Sequence, residues 1–223
     1  MDDARPDLDA PWCLGSAAYA ELRSELEALG PKTLVEFGSG ASTIALSQDF
    51  PGLTILSIEA EPTYLEKTRS GCSDAAQVTV EHRELAWQRH GGAPFLSYRV
   101  GGFPESVDAV TVDGPPHWTR GGREACLYQV AGRLRVGGLV FLDDYRRRGE
   151  QRAVQHWLSA FEGAYRLKRV IRENDHVAVL EKVADHGEPR HGGLTALELR
   201  ANALAQPVLA RVRSLALGLR GAP

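Results

Sequence analysis

Five acidic residues stand where a carboxylate can do chemistry. Asp113 follows the apolar run VDAVTV, and Asp143 and Asp144 follow GGLVFL. If both runs are strands of one parallel sheet, their ends face the same crevice. Three carboxylates meeting there repel one another unless they are protonated or joined to a cation. Oxygen ligands of this kind suit Mg²⁺, which keeps several waters and leaves room for substrate oxygens. Glu36 lies just before the bend Gly38-Ser39-Gly40 in LVEFGSGAST, and Glu59 closes the apolar part of LTILSIEAE. Glycine lets a backbone turn tightly and approach a ligand with no Cβ in between. A helix that begins in such a bend turns its free N–H groups toward the same crevice.

Two ligand classes use that arrangement. A dinucleotide site asks for G-x-G-x-x-G, with the helix N-terminus facing a pyrophosphate. Here Thr43 stands in place of the third glycine. Glu36 would repel a pyrophosphate and attract a cationic amino-acid group. These two residues argue against a nicotinamide-dependent oxidoreductase. Glu59, at the end of the second strand, can accept both hydroxyls of a ribose, with Glu61 as the alternative; the plain reading of Glu59 is a solvated strand-end acid.

The elements that must hold these residues follow from periodicity. Ala18, Leu22, Leu26 and Leu29 form a helical stripe over 16–30, stopped by Gly30 and Pro31. Strands are expected at 33–37, 53–61, 77–85, 107–114 and 137–145, and helices at 41–50, 62–72, 123–135 and 150–163. Ala86 to Glu105 carries enough glycine and proline to predict an irregular loop. YRLKRVIRENDHVAVLEKV predicts a hairpin turning at Asn174-Asp175. Strands alternating with helices call for an α/β fold: a doubly wound, mostly parallel sheet of seven strands covered on both faces, the hairpin adding one antiparallel strand.

The chain has 223 residues, 43% hydrophobic and 25% charged, ordinary for a folded soluble domain. A net charge of −3 gives no reason to expect a nucleic-acid partner. Cys13, Cys72 and Cys126 are far apart, with no C-x-x-C, so neither a disulfide framework nor a zinc site is expected. The acidic start is no signal peptide, and a reducing cytoplasm is the default compartment. The expected organisation is a tail at 1–11, a domain at 12–183, a linker at 184–193 and an amphipathic helical appendage at 194–223, broken at Pro207. In that appendage Val208, Val212, Leu215 and Leu219 share one face, with Arg211, Arg213 and Arg220 largely elsewhere. Such a helix fits docking on its own domain or on a homodimer partner; a membrane surface is the other reading.

The pattern Glu36, Gly38, Gly40 resembles motif I of class I S-adenosylmethionine-dependent methyltransferases, over about Leu34 to Val183, with Ser42 where a third glycine often stands. The resemblance implies a Rossmann-like fold. It places Glu36 near the methionine moiety, Gly38, Ser39, Gly40 and Ser42 in the cofactor turn, Glu59 and Ala60 at the ribose, and Glu84 and Leu85 at the adenine, with His82 a plain strand residue. Asp113-Gly114, then Leu134, Gly137, Gly138, Asp143, Asp144 and Tyr145, is similar to the metal-dependent branch that includes the macrocin-type and catechol O-methyltransferases. That likeness implies Asp113, Asp143 and Asp144 as ligands of Mg²⁺, Asp113 also beside the cofactor, and methylation of a small-molecule oxygen on a sugar or secondary metabolite. The segment PPHWTRGGR after Gly114 departs from the sugar-methylating members. His117, beside the crevice, is the first candidate base and His156 the second. Trp118, Arg120, Arg123 and Tyr145 are candidate substrate contacts, although Arg120 or Arg123 could instead pair with Asp113 or Asp144. A cofactor-holding module without turnover is the remaining alternative.

Overall fold

The computed structural model describes residues 5–11, 13–72 and 77–201. Nine strands and five α-helices have both ends among the described residues. The strands are β1 (Thr33–Phe37), β2 (Thr54–Glu59), β3 (Gln77–His82), β4 (Leu85–His90), β5 (Ala93–Tyr98), β6 (Val107–Val112), β7 (Leu134–Leu142), β8 (Tyr165–Ile171) and β9 (Val177–Lys182). The helices are α1 (Ser16–Leu29), α2 (Ala41–Asp49), α3 (Pro62–Gly71), α4 (Gly122–Val130) and α5 (Arg148–Ala160).

Seven strands form one sheet in the order β3-β2-β1-β6-β7-β9-β8. β9 runs antiparallel to both neighbours and the remaining pairings are parallel, as the alternation of strands and helices predicts. Along each central strand, alternate side chains enter different cores. Leu34, Ala109 and Phe141 pack with α1 and α2, while Val35, Val110 and Val140 pack with α4 and α5. Burial on both faces is why these runs are apolar throughout rather than alternating. In α1 the stripe Ala18, Leu22 and Leu26 is buried, each leucine contributing roughly 2 kcal/mol. Gly30, at φ 60, ends the helix and donates its N–H to the Leu26 carbonyl.

The stretch expected to be loop, Ala86 to Glu105, is mostly a separate antiparallel hairpin, β4–β5. His90 pairs with Ala93 across Gly91 and Gly92, whose φ values are 55 and 81. Positive φ at both central residues makes the tight turn that joins twisted strands, so the glycines close a hairpin instead of breaking structure. Ala93, Phe95 and Tyr98 are buried, with the strand set against α4.

The 184–193 segment packs on the domain. The Arg190 N–H donates to the Ala160 carbonyl, His186 lies tilted against Phe161 and Tyr165, and His191 meets Tyr128 edge-on. A helix follows at 193–201, with Leu199 buried in the core and Glu198 paired with Arg152 of α5. The appendage face built on Val208, Val212, Leu215 and Leu219 lies outside the described residues. Among the described residues no helix is long and apolar enough to cross a membrane.

Candidate active site

Strand order reverses between β1 and β6, and their carboxyl ends frame the crevice where such sheets bind ligands. The two exits touch. The Phe37 carbonyl accepts the N–H groups of both Asp113 (2.9 Å) and Gly114 (2.7 Å). Gly38 sits at φ +95, and a Cβ on it would lie 2.7 Å from the Gly114 nitrogen. A Cβ on Gly114 would in turn run into the Tyr98 hydroxyl. The bare backbone is therefore required here by contact as well as by conformation.

Glu36 is fully buried one layer behind this bend. Its carboxylate accepts hydrogen bonds from the hydroxyls of Ser42, Thr43 and Ser57. The Thr43 hydroxyl also accepts the Gly40 N–H at 3.0 Å. Thr43, the residue that breaks the dinucleotide pattern, thus pins the bend and the start of α2 to β1. Burial pushes the Glu36 carboxyl up to about 7, against the pull of three hydroxyl donors. Glu36 is not among the residues lining the cavity that opens above the bend, and its hydrogen bonds support the bend from behind.

Glu59, at the end of β2, points back over the bend. One oxygen accepts the N–H groups of Ala60 (2.7 Å) and Glu61 (2.8 Å), and the other accepts that of Ser39 (2.9 Å). It opens on a cavity of about 570 Å³, within the ordinary range for small-molecule sites. Gly38, Ser39, Tyr64 and Tyr98 line one end; Asp143, Asp144, His117 and Trp118 line the other, with Asp113 between.

At the second end, Arg123 of α4 reaches between the exits of β6 and β7. Its guanidinium pairs with Asp113 at 3.1 Å and with Asp144 at 2.7 Å, and it donates to the backbone carbonyls of Pro115 and Asp143. Arg147 adds a second contact to the same Asp144 oxygen. Oxygens from Asp113, Asp143 and Asp144 lie within 4.8 Å of one another. Burial, then the charges of Asp113 and Asp144, push the Asp143 carboxyl up to about 8. Among the described residues no side chain donates to Asp113 Oδ2, Asp144 Oδ1 or either carboxylate oxygen of Asp143. The Asp144 backbone N–H is the one donor acting on the Asp143 carboxylate among the described residues, and converging carboxylate oxygens left without side-chain donors fit a hard divalent cation.

The other expected contacts divide. Gly40 and Ser42 line a neighbouring cavity of about 340 Å³ on the outer side of the bend, together with Lys67. Ala60 contributes its N–H to Glu59. Glu84 is exposed and paired with Arg99, and Leu85 packs against the core opposite Tyr98; neither is among the residues lining the main cavity. His117 and Trp118 stand on a short 3₁₀ helix at the rim. Arg120 lines a further cavity of about 370 Å³ beyond Arg123, together with His156, which is held by Glu124 at 3.2 Å. Tyr145 packs against the core and is absent from the lining. Of the two readings of Arg123, substrate contact or partner of the acids, the structure shows the pairing with Asp113 and Asp144, while Arg123 also lines the main cavity.

Sequence reasoning missed Tyr98, hidden in the presumed loop, although the alternation of Phe95, Ser97 and the flanking apolar residues is visible there. It also missed Cys13 and Leu14, which line the main cavity from the N-terminal segment, and Asn174 and Asp175 of the β8–β9 turn.

No protein-family model matches the sequence, and no curated protein does. Solved structures do. An O-methyltransferase from Bacillus cereus, in complex with SAH, aligns with TM-score 0.60 and 14% identity over 77% of this chain and 83% of that one. A methyltransferase-like protein from Silicibacter pomeroyi gives 0.55 and 18% over 89% and 97%. A SAM-dependent O-methyltransferase from Thermotoga maritima gives 0.51 and 15% over 78% and 68%. At these identities the likeness establishes the fold: a Rossmann-like methyltransferase fold with the added hairpin β4–β5.

Proposed function

We propose that the chain transfers a methyl group from S-adenosylmethionine to an oxygen of a small molecule, such as a sugar or secondary metabolite. The observation that carries this reading is the single cavity joining the Gly38–Gly114 contact and Glu59 at one end to the Asp113, Asp143 and Asp144 trio at the other. The donor half has a bare backbone floor and a carboxylate held rigid by three amide N–H groups. Glu59 keeps acceptor capacity toward the cavity, suited to ribose hydroxyls. When bound, the sulfonium supplies an already activated leaving group, so the protein's task is to orient the nucleophile.

The acceptor half does that orienting. Asp113, Asp143 and Asp144 would hold Mg²⁺, whose positive charge would ease loss of the acceptor's proton and help orient the acceptor oxygen. His117, which lines the cavity beside Trp118, is the base we propose for the proton that the hydroxyl loses. Trp118 offers a partly exposed aromatic surface to the acceptor.

Calorimetry with S-adenosylhomocysteine and with NAD tests the donor half. Binding of the first and not the second is expected; the reverse would move the chain to the oxidoreductases. Activity of Asp143→Ala, measured with and without EDTA, tests the metal. Both treatments are expected to abolish turnover, and unchanged activity in both would remove the ion from the mechanism.

A further inference from the structure

We propose that Arg123 is the built-in counter-charge of the acid trio, setting how strongly a divalent cation competes for Asp113, Asp143 and Asp144. This rests on the metal reading of the trio above. Arg123 is 7% exposed, and its described hydrogen bonds and ion pairs all go to the exits of β6 and β7. Nη2 takes Asp113 Oδ1, Nη1 takes Asp144 Oδ2 and the Asp143 carbonyl, and Nε takes the Pro115 carbonyl. A planar fork can serve four acceptors on two strands at once; an ammonium cannot. The guanidinium uses one oxygen of Asp113 and one of Asp144 and leaves the other open, so an ion need not displace it.

The charge count then decides the strength. The three carboxylates of the trio, with the buried acid Glu150 of α5 close enough to interact, face one buried cation, Arg123, and one at the rim, Arg147, whose side chain is 39% exposed and screened by solvent. Neither cation pairs with the Asp143 carboxylate. The trio therefore keeps an attraction for a divalent ion, but a unit positive charge buried against two of its acids opposes that ion through a medium of low polarisability. Removing the charge should strengthen metal binding. It should also leave buried acids unpaired in the metal-free protein, which destabilises it. A residue that merely oriented the ligands would behave in the opposite way.

The test is Mn²⁺ binding by calorimetry, with melting temperature read with and without Mn²⁺, on the full chain carrying Arg123→Met, Arg123→Gln or Arg123→Lys. The neutral variants are expected to bind Mn²⁺ about tenfold tighter or more than the unaltered chain, and to gain more in melting temperature on adding it. Arg123→Lys keeps the charge and loses the fork, and it should stay within about threefold. Asp143→Asn in the Arg123→Met background should erase the gain, which locates the ion. If the neutral variants fold only when Mn²⁺ is added, that supports the proposal. Equal or weaker binding in Met and Gln, a Lys variant that behaves like Met, no Mn²⁺ binding in any chain, or neutral variants that fail to fold even with Mn²⁺ would overturn it. S-adenosylhomocysteine affinity, measured alongside, separates the failures. Intact affinity with no Mn²⁺ effect sinks only the role of Arg123, and lost affinity in the unaltered chain sinks the methyl-donor reading.

Discussion

Glu36 and Asp143 are acids at the ends of neighbouring regions of one sheet, and burial raises both. Their surroundings treat them differently. Glu36 is closed in by three hydroxyls and does not line the main cavity, so its work is to hold the bend of β1 against α2. Asp143 opens on the cavity, with two further acids beside it and the nearest cation paired to those acids instead. A buried carboxylate ringed by neutral donors is a structural brace. One ringed by other acids is an unsolved charge, and a site of that kind waits for a proton, a metal or a substrate.

The contrast can be broken most severely at the floor the two halves share. Gly38→Ala places a Cβ against the Gly114 backbone and forces a side chain into positive φ. A loss of about 4 kcal/mol in urea unfolding is expected, with cofactor binding lost as well. Stability within about 1 kcal/mol of the unaltered chain would mean the exits of β1 and β6 are not in contact.

Next comes the donor half alone. Glu59→Gln keeps the shape and removes the charge that Ser39, Ala60 and Glu61 hold in place. S-adenosylhomocysteine affinity should fall roughly 10- to 100-fold by calorimetry, the range for hydrogen bonds to a charged group. Mn²⁺ binding at the trio should be untouched, and a joint loss would erase the division into halves.

The mildest effect sharpens the brace. The Glu36 carboxyl rises from 4.5 unfolded to about 7 folded, so the folded chain holds that proton more tightly. Its contribution is complete below about pH 4.5 and is lost as pH rises through about 7. The stability of the unaltered chain, relative to Glu36→Gln, should therefore drop by up to roughly 1.4 kcal/mol per pH unit across that window. Parallel pH profiles would show that Glu36 is ionised throughout.

Much of this was legible in the residues. The stripe of α1, the bend after β1, the acids ending β6 and β7 and the β8–β9 hairpin are local patterns, each set by neighbours a few positions away. Gly91 and Gly92 misled for the same reason: their composition suggests a loop, and only the pairing of the strands on either side shows a turn. Glu84 and Leu85 were placed by counting along the third strand. The sheet strand stops at His82, and Leu85 instead opens β4 opposite Tyr98 of β5, a pairing that no local pattern shows.

From sequence alone came the alternation of strands and helices, the glycine bend and the presence of three aspartates at strand ends, because backbone preference and apolar period act over short distances. Tertiary structure decided which acid faces the cavity and which is buried behind it; it brought Tyr98 to the crevice and chose the acids as the partners of Arg123. Those outcomes depend on contacts between residues far apart in the chain, such as Gly38 with Gly114 and Arg123 with Asp144, and no local pattern encodes the distance between them.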